Sequence, residues 1–212
     1  MAGIIKIVFF LLFVKPLALI VIGLSIRNKE LLPVKGPAII AANHNSHLDT
    51  LVLLSLYPLS KISRVRPVAA QDYFFQNRAL KWFALYIMGI LPIARKVERG
   101  GPDPLEICDK ALANDQILII FPEGSRGKPE KISEFKNGLA KLVHRNPNAS
   151  VTPVFLDGLG KSLPKGAFLP VPFFCHVNVG EKIHWEGHRK KFTDKVFTSI
   201  TNMAKERSLP VW

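Results

Sequence analysis

Cysteine is nearly missing from this 212-residue chain: there are two, Cys108 and Cys175, and their positions match no metal-ligand or redox spacing. A disulfide framework or zinc scaffold is therefore excluded, and both read as reduced packing residues in a cytosol-facing protein. Acidic residues are scarce, 16 against 29 Lys and Arg, which leaves a formal charge of +13. Partners are expected to be anionic: nucleic acid, an acidic membrane surface, or a phosphorylated small molecule and its carrier. No nucleic-acid-binding motif occurs, which turns this expectation towards membranes. No Gly-x-Ser-x-Gly elbow is present either, so no enzyme nucleophile announces itself. Internal repeats and low-complexity tracts are also lacking.

What the chain does have is a long apolar run over Ile4 to Ile26, which as a helix would reach about 35 Å, enough to cross a bilayer. Lys15 and Pro16 interrupt its middle. A Lys at mid-bilayer costs about 2.5–3.5 kcal/mol, and Pro breaks the helical ladder. Two half-length helices bent at Lys15-Pro16 and sunk into one leaflet avoid both costs; a full span, a cleaved signal and a buried core helix are the alternatives. No small-x-small cleavage site is evident, which argues against secretion. Arg27, Lys29 and Lys35 follow and favour the cytoplasmic face of the inner or plasma membrane for the rest of the chain. Residues 1–30 are thus expected to anchor. Residues 31–212 suit a single α/β domain with a mixed, mainly parallel central sheet flanked by helices.

The most informative stretch is Asn43 to Thr50, Asn-His-Asn-Ser-His-Leu-Asp-Thr. It follows the apolar run Ala38 to Ala42, a buried strand, so its polar groups emerge at a strand's C-terminal end, where open α/β sheets build their sites. On one unbroken helix His44 and Asp49 would lie about 140° apart and could not touch. With His44 on a turn, Asp49 in the first turn of the next helix, and Asn45 or Ser46 as cap, the carboxylate folds back onto the imidazole. Such a dyad would fix the His tautomer and leave the other ring nitrogen as a general base for a hydroxyl. Three other readings fit the same residues: a plain helix cap, His47 as base in place of His44, and a metal site from His44, His47 and Asp49.

Further along, Thr50 to Leu56 reads as a buried helix and Pro67 to Ala70 as a short strand. Phe74, Phe75, Trp82, Phe83 and Tyr86 cluster in sequence, as core, as a membrane-interface belt, or as both on opposite faces. A strand over Ile90 to Ala94 delivers Arg95, whose planar fork suits a phosphate; an ordinary surface Arg beside Lys96 and Arg99 is the alternative. Pro102 and Pro104 open a helix to about Asn114. Gln116 to Phe121 is another buried strand, ending in Pro122-Glu123-Gly124-Ser125-Arg126-Gly127. There Gly124 and Gly127 allow tight backbone and close ligand approach, Glu123 would hold a hydroxyl and Arg126 a phosphate. Lys136 opens a helix to about Arg145, as a phosphate ligand or as an exposed Lys. Val151 to Leu156 is a strand with Pro153 at an edge or bend. Gly166 to Phe174 cannot be regular helix; it lines a channel, rests on a membrane or packs on the core. Cys175 to Val179 alternates as a strand, and Thr193 caps a last helix with Val196, Ile200 and Met203 on one face.

Four of these stretches resemble, in order, the blocks of the glycerolipid acyltransferases, the family of bacterial 1-acylglycerol-3-phosphate acyltransferase. They are His44-x4-Asp49, Gly89 to Arg95, Phe121 to Arg126 and Val151 to Val154. The resemblance implies a catalytic domain over 31–212 that moves a fatty acyl group from acyl-CoA or acyl carrier protein to a lysophospholipid hydroxyl, with no cofactor or metal. It implies catalysis by His44 and Asp49, and acceptor binding by Arg95, Glu123, Gly124, Ser125, Arg126 and Lys136. Membrane lipids are the implied surroundings, and nucleic acid is not a partner. Pro153 would help shape the acyl pocket. One departure stands out: Val68-Ala69-Ala70 occupies a place where many members carry Lys after Val-Ala, so Arg66 or Lys136 would substitute, or the acceptor would be another lysolipid. Ser125, where Thr is common, keeps the hydroxyl. A non-catalytic basic membrane module is the reading of a different class.

Overall fold

Ile39, Ile40 and the alanines around them are all buried, as a strand covered on both faces requires. The structure is a computed structural model that describes residues 2–17, 23–95, 101–127, 131–163, 169 and 171–208. Within these, the strands are β1 (Ser25–Arg27), β2 (Ala38–Ala42), β3 (Val65–Ala70), β4 (Leu91–Ile93), β5 (Ile117–Ile120), β6 (Ser150–Asp157) and β7 (His176–Val179). They form one sheet in the order β1-β7-β6-β2-β5-β3-β4. Neighbours run parallel except β6 and β7, so the sheet is mixed and mainly parallel. Parallel neighbours need crossovers, and the helices supply them.

The helices are α1 (Ala2–Phe9), α2 (Leu48–Ser55), α3 (Gln71–Phe74), α4 (Arg78–Trp82), α5 (Glu106–Ala113), α6 (Gly138–Arg145), α7 (Leu159–Ser162) and α8 (Arg189–Ser208). Wider π-helical turns extend α1 over Phe10–Val14 and α4 over Phe83–Met88. Alternation along β2 divides the core. Ala38, Ile40 and Ala42 face a cluster with Phe10, Val14, Leu53 and Met88, while Ile39 and Ala41 face one with Leu112, Leu142 and Val196. Hence α1, α2 and the turn after α4 cover one face, and α5, α6 and α8 the other.

Several local expectations change. Ser25–Arg27, inside the stretch read as anchoring helix, is a strand paired with β7. No helix among the described residues is long and apolar enough to cross a membrane. Residues 18–22 of the expected anchor, Lys96 and Arg99 beside Arg95, and Gly166, Phe168 and Pro170 of the expected channel segment lie outside the described residues. Leu169, Val171, Phe173 and Phe174 of that segment are exposed. The last helix starts at Arg189, and Thr193 lies inside it, its hydroxyl donating to the Arg189 carbonyl. A hydroxyl that finds a carbonyl one turn back can stay within a helix instead of capping it. Pro153 sits within β6, pairing β2, at a point where the β7 side is irregular: its carbonyl accepts from Gly180 N, and pairing resumes with Val151 and Ile183. Trp82 and Tyr86 are exposed while Ala84, Ile87 and Met88 are buried, so the aromatic segment has two distinct faces. Cys108 and Cys175 are both buried thiols, and burial pushes the Cys108 thiol up to about 12.

Candidate active site

The chain leaves β2 through Asn43, whose buried amide imitates a strand partner. Its Nδ2 donates to Leu156 O at 2.8 Å and its Oδ1 accepts from Leu156 N at 2.7 Å, fastening the strand end to β6. The next residues turn back, and Asp49 in the first turn of α2 closes the turn. Its Oδ2 accepts from Asn45 N at 2.7 Å and Ser46 N at 2.9 Å. The same oxygen lies 2.8 Å from His44 Nδ1, and Asp49 is fully buried. An oxygen that takes two backbone N–H bonds is acting as an acceptor, so Nδ1 donates to it. The lone pair of His44 is therefore on Nε2.

The turn after β5 holds His44 from the other side. Glu123 Oε1 accepts from His44 N at 2.8 Å, and Gly127 N donates to His44 O at 3.0 Å. The imidazole stacks on Phe121, with centroids 4.0 Å apart and planes inclined by 17°. Both main-chain polar groups, one ring nitrogen and one ring face of His44 are thus occupied, and 19% of its side chain remains exposed.

Glu123 is buried, and its second oxygen accepts from Ser133 N at 2.9 Å, so the carboxylate ties two loops to the His44 backbone. Gly124 has a φ of +75°, and a Cβ there would lie 3.0 Å from Lys136 Nζ. Glycine at this turn therefore serves both its left-handed backbone and the approach of the lysine. Gly124, Ser125 and Lys136 are exposed beside it. Arg126 lies over the Tyr73 ring, 5.7 Å from its centroid.

His47 faces Tyr73, with Nε2 3.4 Å from its hydroxyl, and not Asp49. Partial burial first, then the nearby Arg126 guanidinium, hold its imidazole below the ordinary value. Since His44 turns to Asp49 and His47 to Tyr73, the proposed metal ligands do not converge, and no group of three such side chains among the described residues could hold a metal ion. Arg95 pairs with the residue before Tyr73: its Nε is 3.4 Å from Asp72 Oδ1, and both are more than half exposed. Arg66, the other cation weighed for the acceptor phosphate, lies within β3. It pairs in register with Leu118, level with Ile39, three positions before the end of β2, and its Nε donates to Gly89 O at 2.6 Å.

A family model described as Acyltransferase matches residues 23–157, well over half of the chain and the span that carries the dyad and both clamping turns. The chain belongs to the acyltransferase family. Among its relatives, the chloroplastic 1-acyl-sn-glycerol-3-phosphate acyltransferase LPAT1 of Arabidopsis thaliana is 32% identical over 169 residues, covering 79% of this chain and 44% of that protein. The 1-acyl-sn-glycerol-3-phosphate acyltransferase of Helicobacter pylori is 32% identical over 122 residues, 57% of this chain and 48% of that protein. The chain thus spans less than half the length of these relatives. The crystal structure of the 1-acyl-sn-glycerophosphate acyltransferase PlsC from Thermotoga maritima superimposes with a TM-score of 0.78 at 17% identity, covering 99% of this chain and 81% of that one. At that identity it speaks for the acyltransferase fold alone.

Three residues of this candidate site carry no assigned role in the sequence: Asn43, Phe121 and Tyr73. Asn43 opens the dyad stretch, where a polar residue directly after a buried strand was the available signal. Phe121 opens the third block, but its stacking on His44 is not readable there, and nothing local marks Tyr73, because their partners are far along the chain.

Proposed function

We propose that the chain transfers a fatty acyl group from an acyl thioester, acyl-CoA or acyl carrier protein, to the free hydroxyl of a lysophospholipid, converting 1-acylglycerol 3-phosphate to phosphatidate. The carrying observation is the 2.8 Å contact of His44 Nδ1 with an Asp49 oxygen that also organises the turn. The acceptor hydroxyl gives its proton to His44 Nε2 as its oxygen bonds the thioester carbonyl carbon. The tetrahedral intermediate collapses with cleavage of the C–S bond, and the proton passes from the imidazolium to the leaving sulfur. Asp49 offsets the imidazolium charge and fixes the ring. Arg126 and Lys136, with Arg95 further out, are assigned the acceptor phosphate, and Gly124 and Ser125 the floor beside it. Glu123 is assigned the positioning of His44. No metal or cofactor enters this scheme.

The names of the relatives support this acceptor, and the exposed apolar side chains of α1 support work at a lipid surface. In this reading α1 and its π-helical extension rest in the cytoplasmic leaflet, where both long-tailed substrates partition. The test incubates the full chain, bound to vesicles, with labelled acyl-CoA or acyl carrier protein and a panel of lysolipids. Lysophosphatidate should be acylated, and His44→Ala should lower the rate by about 10²- to 10⁴-fold. Absence of transfer to every hydroxyl acceptor, from folded and vesicle-bound protein, sinks the reading. Transfer to a different lysolipid keeps the chemistry and changes the acceptor.

A further inference from the structure

The first and third blocks of the site meet through a residue that belongs to neither. At the C-terminal end of β3 the chain turns into α3, which places Tyr73 between His47 and Arg126. Its hydroxyl is 3.4 Å from His47 Nε2, the two rings are 5.7 Å apart, and the Arg126 guanidinium carbon lies 5.7 Å from the Tyr73 centroid. Phe74 meets the Tyr73 ring edge-on at 4.9 Å and packs against the core, so the ring is braced from within. Among the described residues no carboxylate lies within ion-pair distance of Arg126. The Tyr73 ring face is the contact that the Arg126 guanidinium makes among the described residues.

We propose that Tyr73 is a positioning residue for the acceptor's phosphate: it holds Arg126 by its ring and His47 by its hydroxyl, so that an anion bound there sets the acceptor hydroxyl against His44. This rests on the acyl-transfer reading for its purpose, but phosphate capture is measurable without it. A cation over an exposed aromatic ring contributes about 0.5–1 kcal/mol, which corresponds to roughly a 2- to 5-fold change in affinity.

The probe is glycerol 3-phosphate, titrated against the full chain while the ring resonances of His47 are followed by NMR. Tyr73→Leu should weaken binding about 2- to 5-fold, and Tyr73→Phe, which keeps the ring, should recover most of that loss. In the Arg126→Ala background Tyr73→Leu should add nothing further, because the two act through one contact. With lysophosphatidate as acceptor, the loss should appear in KM and not in kcat, and it should be missing for a monoacylglycerol without phosphate. Equal glycerol 3-phosphate affinity in Tyr73→Leu and the parent, additive losses with Arg126→Ala, or no binding to the parent at all would each overturn the proposal. A parent that binds the phosphate yet acylates no lysolipid would instead overturn the acyl-transfer reading.

Discussion

Asp49 carries more of the site than its partner. One of its oxygens accepts from two backbone N–H groups and from His44, while the other has no hydrogen-bond partner among the described residues. Structure and chemistry therefore separate on substitution. Asp49→Asn keeps an oxygen for the turn but cannot offset an imidazolium, so the acyl-transfer rate should fall about 10²- to 10⁴-fold while the melting temperature changes little. Asp49→Ala removes the acceptor from two buried N–H groups, at about 1–3 kcal/mol each, and chemical denaturation should register the sum as lost stability. At this scale the sequence was legible where partners are close: a five-residue spacing with cap-forming residues between is enough to suggest that Asp49 folds back on His44. Local spacing leaves His47 open as the base; in the fold Asp49 meets His44, and His47 faces Tyr73. The surroundings of Glu123 are hidden from the sequence for the same reason. A carboxylate in a turn looks free to bind a ligand until another loop, here Ser133, arrives to occupy it.

At the scale of elements, α1 is fastened to the domain in an unusual way. Lys6 on its inner side is 5% exposed, donates to Ile62 O at 3.1 Å, and has Arg66 as its charged neighbour. Burial, and then repulsion from Arg66, lower its pKa from 10.5 to about 8. The folded state thus holds this proton less tightly than the unfolded chain. The cost of burying the charge is complete below about pH 8 and gone above about 10.5, so this group should make stability rise with pH across that window. Lys6→Met should remove that slope and, by placing an apolar side chain of similar length there, stabilise the protein at pH 7 by about 1 kcal/mol. Thermal melts of both proteins from pH 7 to 10.5 would check this; parallel curves would contradict it. The strands from Ala38 to Val179 were largely readable, because a buried strand is a short β-branched run whatever it pairs with. Ser25–Arg27 was not, since only pairing with β7 makes an extended segment of that short piece a strand.

Across the whole molecule, apolar exposure gathers on the α1 side of the sheet, where Ile4, Val8, Leu11, Leu12 and Phe13 face outward and the exposed Trp82 and Tyr86 rings lie 6.1 Å apart. Together with a formal charge of +13, this predicts binding to anionic vesicles that salt weakens but does not abolish. The pair Leu12→Glu and Phe13→Glu should release the protein from vesicles with little loss of stability, because both side chains are already exposed; co-sedimentation and a melt measure the two effects. Undiminished binding of this variant would mean that α1 is not the contact. What the sequence determined by itself were most strands from Ala38 onward, the mixed α/β class and the four blocks, because hydrophobic period and turn chemistry act between residues near one another in the chain. Which strand lies beside which, that His44 is gripped by a turn some eighty residues later, and that Tyr73 stands between His47 and Arg126 were decided only by tertiary structure, since these contacts exist once the sheet order has brought distant strand ends together.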